Sequence, residues 1–272
     1  MLTFPPGILA ENSVRVPVIF RGNGVVALSK PAGTPIERHP WNAGHTTLCD
    51  ALRRRIEAGS AAARELGLAR PSAVALTDAE CSGAVLLADR DGNALAAWRN
   101  AFGSEQFVFR FVFLAKTSHE SGKAPSGTEF SCALPVATHF AESRALISHK
   151  TGKKSLTRFV QLENFGAYAL WRAETAFPRL HQIRLHAAEC GLPIVGDPIY
   201  GNAAPIPNSA FCRKGRLNKG EARPIYAAAC LHLEKILVPA GELLAEGAEI
   251  SAPLPDGFAA LLKKLRAGTA RR

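Results

Sequence analysis

Arg179 to Gly201 reads RLHQIRLHAAECGLPIVGDPIYG. Ile183, Leu185, Ala187 and Ala188 supply apolar contact, while His181, Gln182, Arg184 and His186 crowd the start of the same predicted helix with hydrogen-bonding groups. That mixture fits a helix lining a polar cleft. An acidic turn at Asp197 and a terminal Tyr200-Gly201 complete the stretch.

Outward from this helix the chain predicts a sheet. Val25 to Leu28 reads as a short buried strand ending in the Pro31-Ala32-Gly33 turn, and Thr47 caps a helix running through Ile56 that Gly59 ends. Strands at Val74 to Ala75 and Val85 to Ala88 flank Asp78, which puts that carboxylate on a connecting loop. Asp91-Gly92-Asn93 opens a helix to about Phe102, with Leu95, Trp98 and Phe102 at core spacing. In the following strand, FVFRFVFLAK, the phenylalanines at 107, 109, 111 and 113 share one face, crowded enough that one of them is expected to line a cavity. Further strands are expected at Glu129 to Ala133, Arg144 to Ser148, Lys154 to Leu162, Ala167 to Thr175 and Ala227 to Leu237. Phe258, Leu261, Leu262 and Leu265 mark a last amphipathic helix. This pattern predicts an α+β fold, a largely antiparallel sheet with helices packed on it. Asn202 to Arg223 reads as a long loop able to close on a ligand.

The opening stretch resembles the motif R-x-H-Q-I-R-x-H…G-x-P-I-x-G-D-x-x-Y-G of the RluA-like pseudouridine synthases, and the likeness runs in order from Lys30-Pro31-Ala32-Gly33 to Ala252-Pro253-Leu254-Pro255. It implies the pseudouridine synthase fold: a mixed, mostly antiparallel sheet split by a basic cleft with Asp78 at its centre. The implied activity isomerises uridine to pseudouridine in ribosomal or transfer RNA without a cofactor. In that resemblance Asp78 is the catalytic carboxylate, acting as nucleophile or base on a flipped nucleotide, and Arg184 pairs with it to hold its geometry and lower its pKa. The tyrosine of the family's K-x-Y-x-A strand aligns with Phe113, which keeps a stacking face but no hydroxyl. Arg179, His181 and Gln182 are implied RNA contacts, and Lys30 lies on the turn that approaches the cleft in the family.

Ala75-Leu76-Thr77-Asp78-Ala79-Glu80-Cys81-Ser82-Gly83 stands where the family has H-R-L-D-x-x-T-S-G. The aspartate and the Ser-Gly pair are kept; the histidine and arginine are replaced by Ala75 and Leu76. Leucine there suits an apolar wedge, an already unpaired RNA loop, or a loss of flipping. The competing reading is a non-catalytic RNA-binding or ribosome-assembly protein that keeps the fold.

The 272 residues are read as one catalytic-type domain, 1–272, without a separate N-terminal RNA-binding module. A formal charge of +10 favours a polyanionic partner, and basic clusters recur at Arg53 to Arg55, Lys150 to Lys154, Arg213 to Arg216, Lys263-Lys264 and Arg271-Arg272. Six scattered cysteines without a C-x-x-C pair read as reduced thiols, and His186 with Cys190 lacks the second pair a zinc site needs, so no metal is expected. Ser82 lacks the first glycine of a nucleophile elbow, and neither a Walker loop nor a dinucleotide fingerprint is present. No apolar run suggests a membrane partner, and a cytoplasmic monomer is expected.

Overall fold

Asn23-Gly24 shows how local sequence sets the first elements. Both residues have positive φ, and they join β3 (Val18–Gly22) to β4 (Val25–Lys30) as the two-residue turn whose backbone twist matches antiparallel strands. Ahead of this hairpin β1 (Leu2–Phe4) pairs with β2 (Val14–Val16). The structure, a computed structural model, describes residues 1–103, 106–117, 127–139, 141–211 and 222–269.

Thr47 accepts a hydrogen bond from the Asp50 amide at 3.1 Å and so starts α1 (Leu48–Glu57), followed by α2 (Ala61–Arg64). β5 (Pro71–Ala73), β6 (Ser82–Asp89), α3 (Asn93–Gly103) and β7 (Val108–Lys116) come next. The strand expected at Val74 to Ala75 is displaced: pairing stops at Ala73, and the chain bends away into the loop that carries Asp78. β8 (Glu129–Cys132), β9 (Val136–His139), β10 (Arg144–Ile147), β11 (Thr157–Asn164) and β12 (Tyr168–Thr175) precede α4 (Gln182–Glu189), and β13 (Leu231–Val238), β14 (Ala248–Ser251) and α5 (Asp256–Thr269) end the chain.

A ten-stranded sheet runs in the order β3-β4-β6-β13-β7-β12-β11-β8, with β5 added to β6 and β14 to β13. Every pairing in it is antiparallel except β6 with β13, where Ser82 faces His232 and Gly83 faces Leu233. The two strands approach so closely there that a Cβ on Gly83, at φ +116°, would collide with the Leu233 carbonyl. The loop bearing Asp78 enters the sheet at this parallel junction. Ser82 Oγ lies 2.9 Å from His232 Nδ1 and His232 Nε2 lies 3.2 Å from the Ala252 carbonyl, tying β6, β13 and the chain after β14 together.

The four alternate phenylalanines 107, 109, 111 and 113 enter one buried cluster with Trp98, Phe102, Phe159 and Trp171. Phe258, Leu261, Leu262 and Leu265 of α5 bury on Leu114, Leu170 and Val195. Burying each such side chain fully is worth about 1.5–3 kcal/mol relative to exposure, enough to dock this terminal helix. Asn202 to Arg223 carries a 3₁₀ turn at Asn208–Phe211 and a bridge from Pro207 to Pro224; its residues 212–221, with Arg213 to Arg216, lie outside the described residues, as do Arg271-Arg272. No helix among the described residues is long and apolar enough to cross a membrane.

Candidate active site

Asp78 is 8% exposed on the loop between β5 and β6. The loop's shape comes from its own backbone and from beneath. The Cys81 amide closes a turn on the Asp78 carbonyl at 3.2 Å, and the Gly33 amide donates to the Ala79 carbonyl at 2.8 Å. Lys30, at the end of β4, is 2% exposed and points its ammonium up into this loop, donating to the carbonyls of Ala79 at 3.0 Å, of Pro31 at 3.2 Å and of Cys81. Burial lowers its pKa to about 8, with the nearby Cys81, Asp78 and Glu80 opposing that shift. Lys30, expected from the resemblance as an RNA contact, is instead buried beneath the loop. Its three N–H donors are spent on carbonyls, and no charge of it reaches the surface.

α4 approaches from the other side with its N-terminus. His181, its N-cap, sits in the left-handed region at φ 58°, and its backbone N–H donates to Asp78 Oδ1 at 2.9 Å. A helix N-terminus stabilises a carboxylate through such unpaired amides. Gln182 is 1% exposed and fully engaged: its amide nitrogen reaches the Leu156 carbonyl and the hydroxyls of Thr157 and Thr175, and its Oε1 accepts from the Arg179 amide. The expected RNA contact at Gln182 is thus replaced by a bracket that pins the start of α4 to β11 and β12. His186 is likewise satisfied, with Nδ1 2.9 Å from Thr157 Oγ1 and Nε2 2.9 Å from the Leu134 carbonyl.

Arg184 lies wholly buried at the centre of three carboxylates. It holds Asp197 in a two-point pair, Nε to Oδ2 at 2.7 Å and Nη2 to Oδ1 at 2.8 Å, and its Nη1 donates to Glu80 at 2.8 Å. Asp78 Oδ2 is farther, 3.8 Å from Nη1. The expected Arg184–Asp78 pair exists, but as the loosest of three; Asp197 is the principal partner. Burial would lower the Arg184 pKa, and the hydrogen bonds and charge of Asp197, with Asp78 and Glu80, raise it instead, keeping the guanidinium charged. Burial likewise works to raise the Asp197 carboxyl, but Arg184 and the amides of Ile199 and Tyr200 hold it below the usual carboxylate range.

Tyr200 closes the back of the site. Its hydroxyl bonds His181 Nδ1 at 3.0 Å and the Ala145 amide at 2.7 Å, and its ring lies 5.3 Å from the Arg184 guanidinium. Burial pushes its hydroxyl up to about 12, and burial lowers the His181 pKa despite Asp78, so both groups are neutral near pH 7.

The cleft in front of Asp78 is lined by Leu76, Thr77, Phe111, Pro178, Arg179 and Leu231 and encloses only about 10 Å³. The aromatic face beside Asp78 belongs to Phe111. Phe113, the expected stacking residue, is fully buried edge-on against Phe159 with ring centres 5.9 Å apart. The two phenylalanines share a strand face, so sequence spacing alone leaves a two-residue ambiguity that the register of β7 on β13, Phe111 opposite Leu233, resolves. Of the expected RNA contacts only Arg179 stands at the cleft mouth half-exposed, its Nε on the Lys154 carbonyl at 3.0 Å and its guanidinium over Phe177. Asp197, Glu80 and Tyr200 complete the site although the sequence reading assigned none of them a role. The G-D-x-x-Y-G string was the available signal for Asp197 and Tyr200.

No family model matches the chain. Among curated proteins it is 26% identical to ribosomal large subunit pseudouridine synthase D of Nitrosomonas europaea over 255 residues, 93% of this chain and 66% of that protein. The same-named protein of Xanthomonas campestris is 28% identical over 266 residues, 96% of this chain and 73% of the relative. That of Haemophilus influenzae is 32% identical over 133 residues, 49% of this chain and 39% of its own length. Over nearly its whole length the chain is thus similar to ribosomal large subunit pseudouridine synthases, in line with the resemblance its motifs carry. It spans just under two thirds of the Nitrosomonas relative and well under half of the Haemophilus one. In fold it is similar to human RNA pseudouridylate synthase domain containing 4, with a TM-score of 0.64, 21% identity and 92% of both chains covered. The comparison shows the pseudouridine synthase fold for this chain.

Proposed function

We propose that this protein is an RNA pseudouridine synthase with Asp78 as its catalytic carboxylate. The observation that carries the reading is the setting of that carboxylate: nearly buried, one oxygen on the His181 amide, the other facing a charged guanidinium, and an aromatic face at Phe111 beside it. Such a group acts as nucleophile or base on a base taken out of its stack. The reaction balances within the nucleotide: the N1–C1′ bond breaks, the base turns, the C5–C1′ bond forms, and the C5 proton is lost while N1 gains one. Phe111 supplies stacking, and Arg179 meets the RNA backbone at the cleft mouth. Because neither Phe111 nor Phe113 has a hydroxyl, a proton relay runs through water or another group.

The names of the relatives favour uridine in ribosomal RNA as the target, with transfer RNA as the alternative. We take the protein to work in the cytoplasm as a monomeric single domain. The near-closed cleft, about 10 Å³, supports a second reading in which the protein binds RNA without catalysis. Carbodiimide mapping of pseudouridine in cellular RNA separates the two. Deletion and Asp78→Asn should both erase the same stop, while purified Asp78→Asn binds RNA as the native protein does. Undiminished pseudouridine with Asp78→Asn would exclude the catalytic assignment.

A further inference from the structure

The cleft at Asp78 has room for about one water, yet a cavity of about 210 Å³ opens on the other side of Leu76. Leu76 and Thr77 line both, so one loop divides them. Leu76 is 48% exposed, an unusual position for a leucine that packs no core. Facing it are Trp41, His181 and Ile199, with Glu37 and Asn42 as polar groups in the lining.

Trp41 is built to present its ring. It lies in the 3₁₀ turn Pro40–Asn42, where His39 Nδ1 accepts from the Trp41 amide at 3.3 Å and Asn42 Oδ1 accepts from the His39 amide at 2.8 Å. Its ring leans on His39 at 5.0 Å and on His181 at 5.1 Å. Trp98 and Trp171 are 0% and 2% exposed, so Trp41 is the tryptophan with a free face. Its Nε1–H is buried without an acceptor among the described residues, a polar group the protein alone leaves unsatisfied. Beyond Glu37, which lines both, a second cavity of about 340 Å³ is walled by Arg38, Arg53, Arg70 and Arg90. Arg90 has no ion-pair partner among the described residues, whereas Arg38 and Arg53 share Asp50. An aromatic face beside an arginine-walled hollow matches a nucleotide, base on the ring and phosphate on the cations, better than an apolar peptide.

We propose that the cavity between Trp41 and Leu76 is a second RNA subsite, holding the unstacked base of a nucleotide neighbouring the one presented to Asp78, with its backbone running toward Arg38 and Arg90. This rests on the reading of the protein as one that acts on RNA. Leu76 then divides two bases by apolar contact, which is the work a leucine can do where the family has an arginine.

The test is intrinsic fluorescence of the whole protein titrated with a single-stranded oligouridylate of about 10 nucleotides, within the roughly 4–16 nucleotides of single-strand sites. Inorganic polyphosphate serves as the base-free polyanion. Oligouridylate should quench the native emission and polyphosphate should not. Trp41→Phe should lose the quench while keeping most of the affinity, because a phenyl ring still stacks. Trp41→Ala, checked by thermal melting for intact folding, should bind at least about five-fold more weakly. Binding without quench, and equal in native protein and Trp41→Ala, overturns the subsite. If pseudouridine still forms in that case, the synthase reading stands alone; if the protein neither binds RNA nor makes pseudouridine, both fall together.

Discussion

Two walls around the loop that carries Asp78 are made of different material. The wall formed by α4 and the turn after it is a buried, charge-balanced network in which Arg184 joins Asp197, Glu80 and Asp78 and in which Lys30, Gln182, His186 and Tyr200 have all their polar atoms engaged. The wall formed by Leu76 and the Pro40–Asn42 turn is half-exposed, apolar and aromatic, with an indole donor unpaired. The first wall coincides with the motif residues shared with the family. The second holds the departure at Leu76. A buried ionic network tolerates little change because removing one member strands the others, whereas an exposed apolar rim can be exchanged at small cost to the fold.

Arg184→Leu should break the first wall outright, leaving Asp197 and Glu80 as uncompensated charges. A loss on the order of 3–5 kcal/mol in urea unfolding is expected, a large part of the roughly 5–15 kcal/mol a domain has. A loss below about 1 kcal/mol would mean the network is far less coupled than its geometry implies.

Acid should weaken the β6–β13 junction beneath the Asp78 loop by a smaller amount. Burial lowers the His232 pKa from 6.5 to about 4, so the unfolded chain takes up a proton there before the folded protein does. The stability this residue contributes is therefore present in full above about pH 6.5 and declines as pH falls toward 4, by on the order of 3 kcal/mol. Unfolding curves of native protein and His232→Gln at successive pH values should converge across that window. Parallel curves would show that His232 does not titrate in this way.

The smallest stability effect is expected at the rim. Leu76→Ser should change the unfolding free energy by no more than about 0.5 kcal/mol, as for exposed substitutions in general, while weakening single-stranded RNA binding in the same fluorescence titration. A stability loss comparable to that of Arg184→Leu would erase the distinction between the walls.

Several features were legible from the chain alone because their causes are local. Thr47 capping α1, the apolar stripe of α5 and the alternating phenylalanines of β7 each follow from spacing over a few residues. The polar crowding of α4 predicted a cleft-lining helix, and the α+β sheet followed from the run of strands. The roles of the polar residues were less legible. Lys30 and Gln182 read as RNA contacts because they sit in the right peptides, yet both turn inward to cap backbone carbonyls that the fold would otherwise leave unpaired.

Sequence by itself determined most of the elements, the resemblance to the pseudouridine synthases and the candidate carboxylate at Asp78, since motif order and hydrophobic period are properties of the chain read in line. Only the tertiary structure decided which partner each charge takes and which phenylalanine faces the cleft. Asp197 outcompetes Asp78 for Arg184 because the turn after α4 returns its carboxylate to the guanidinium's two-point edge, and Phe111 displaces Phe113 because strand register, not composition, places a side chain along a sheet. The Trp41 cavity belongs to the same class: Trp41 and Leu76 are far apart in sequence, and only folding makes them opposite walls of one cavity.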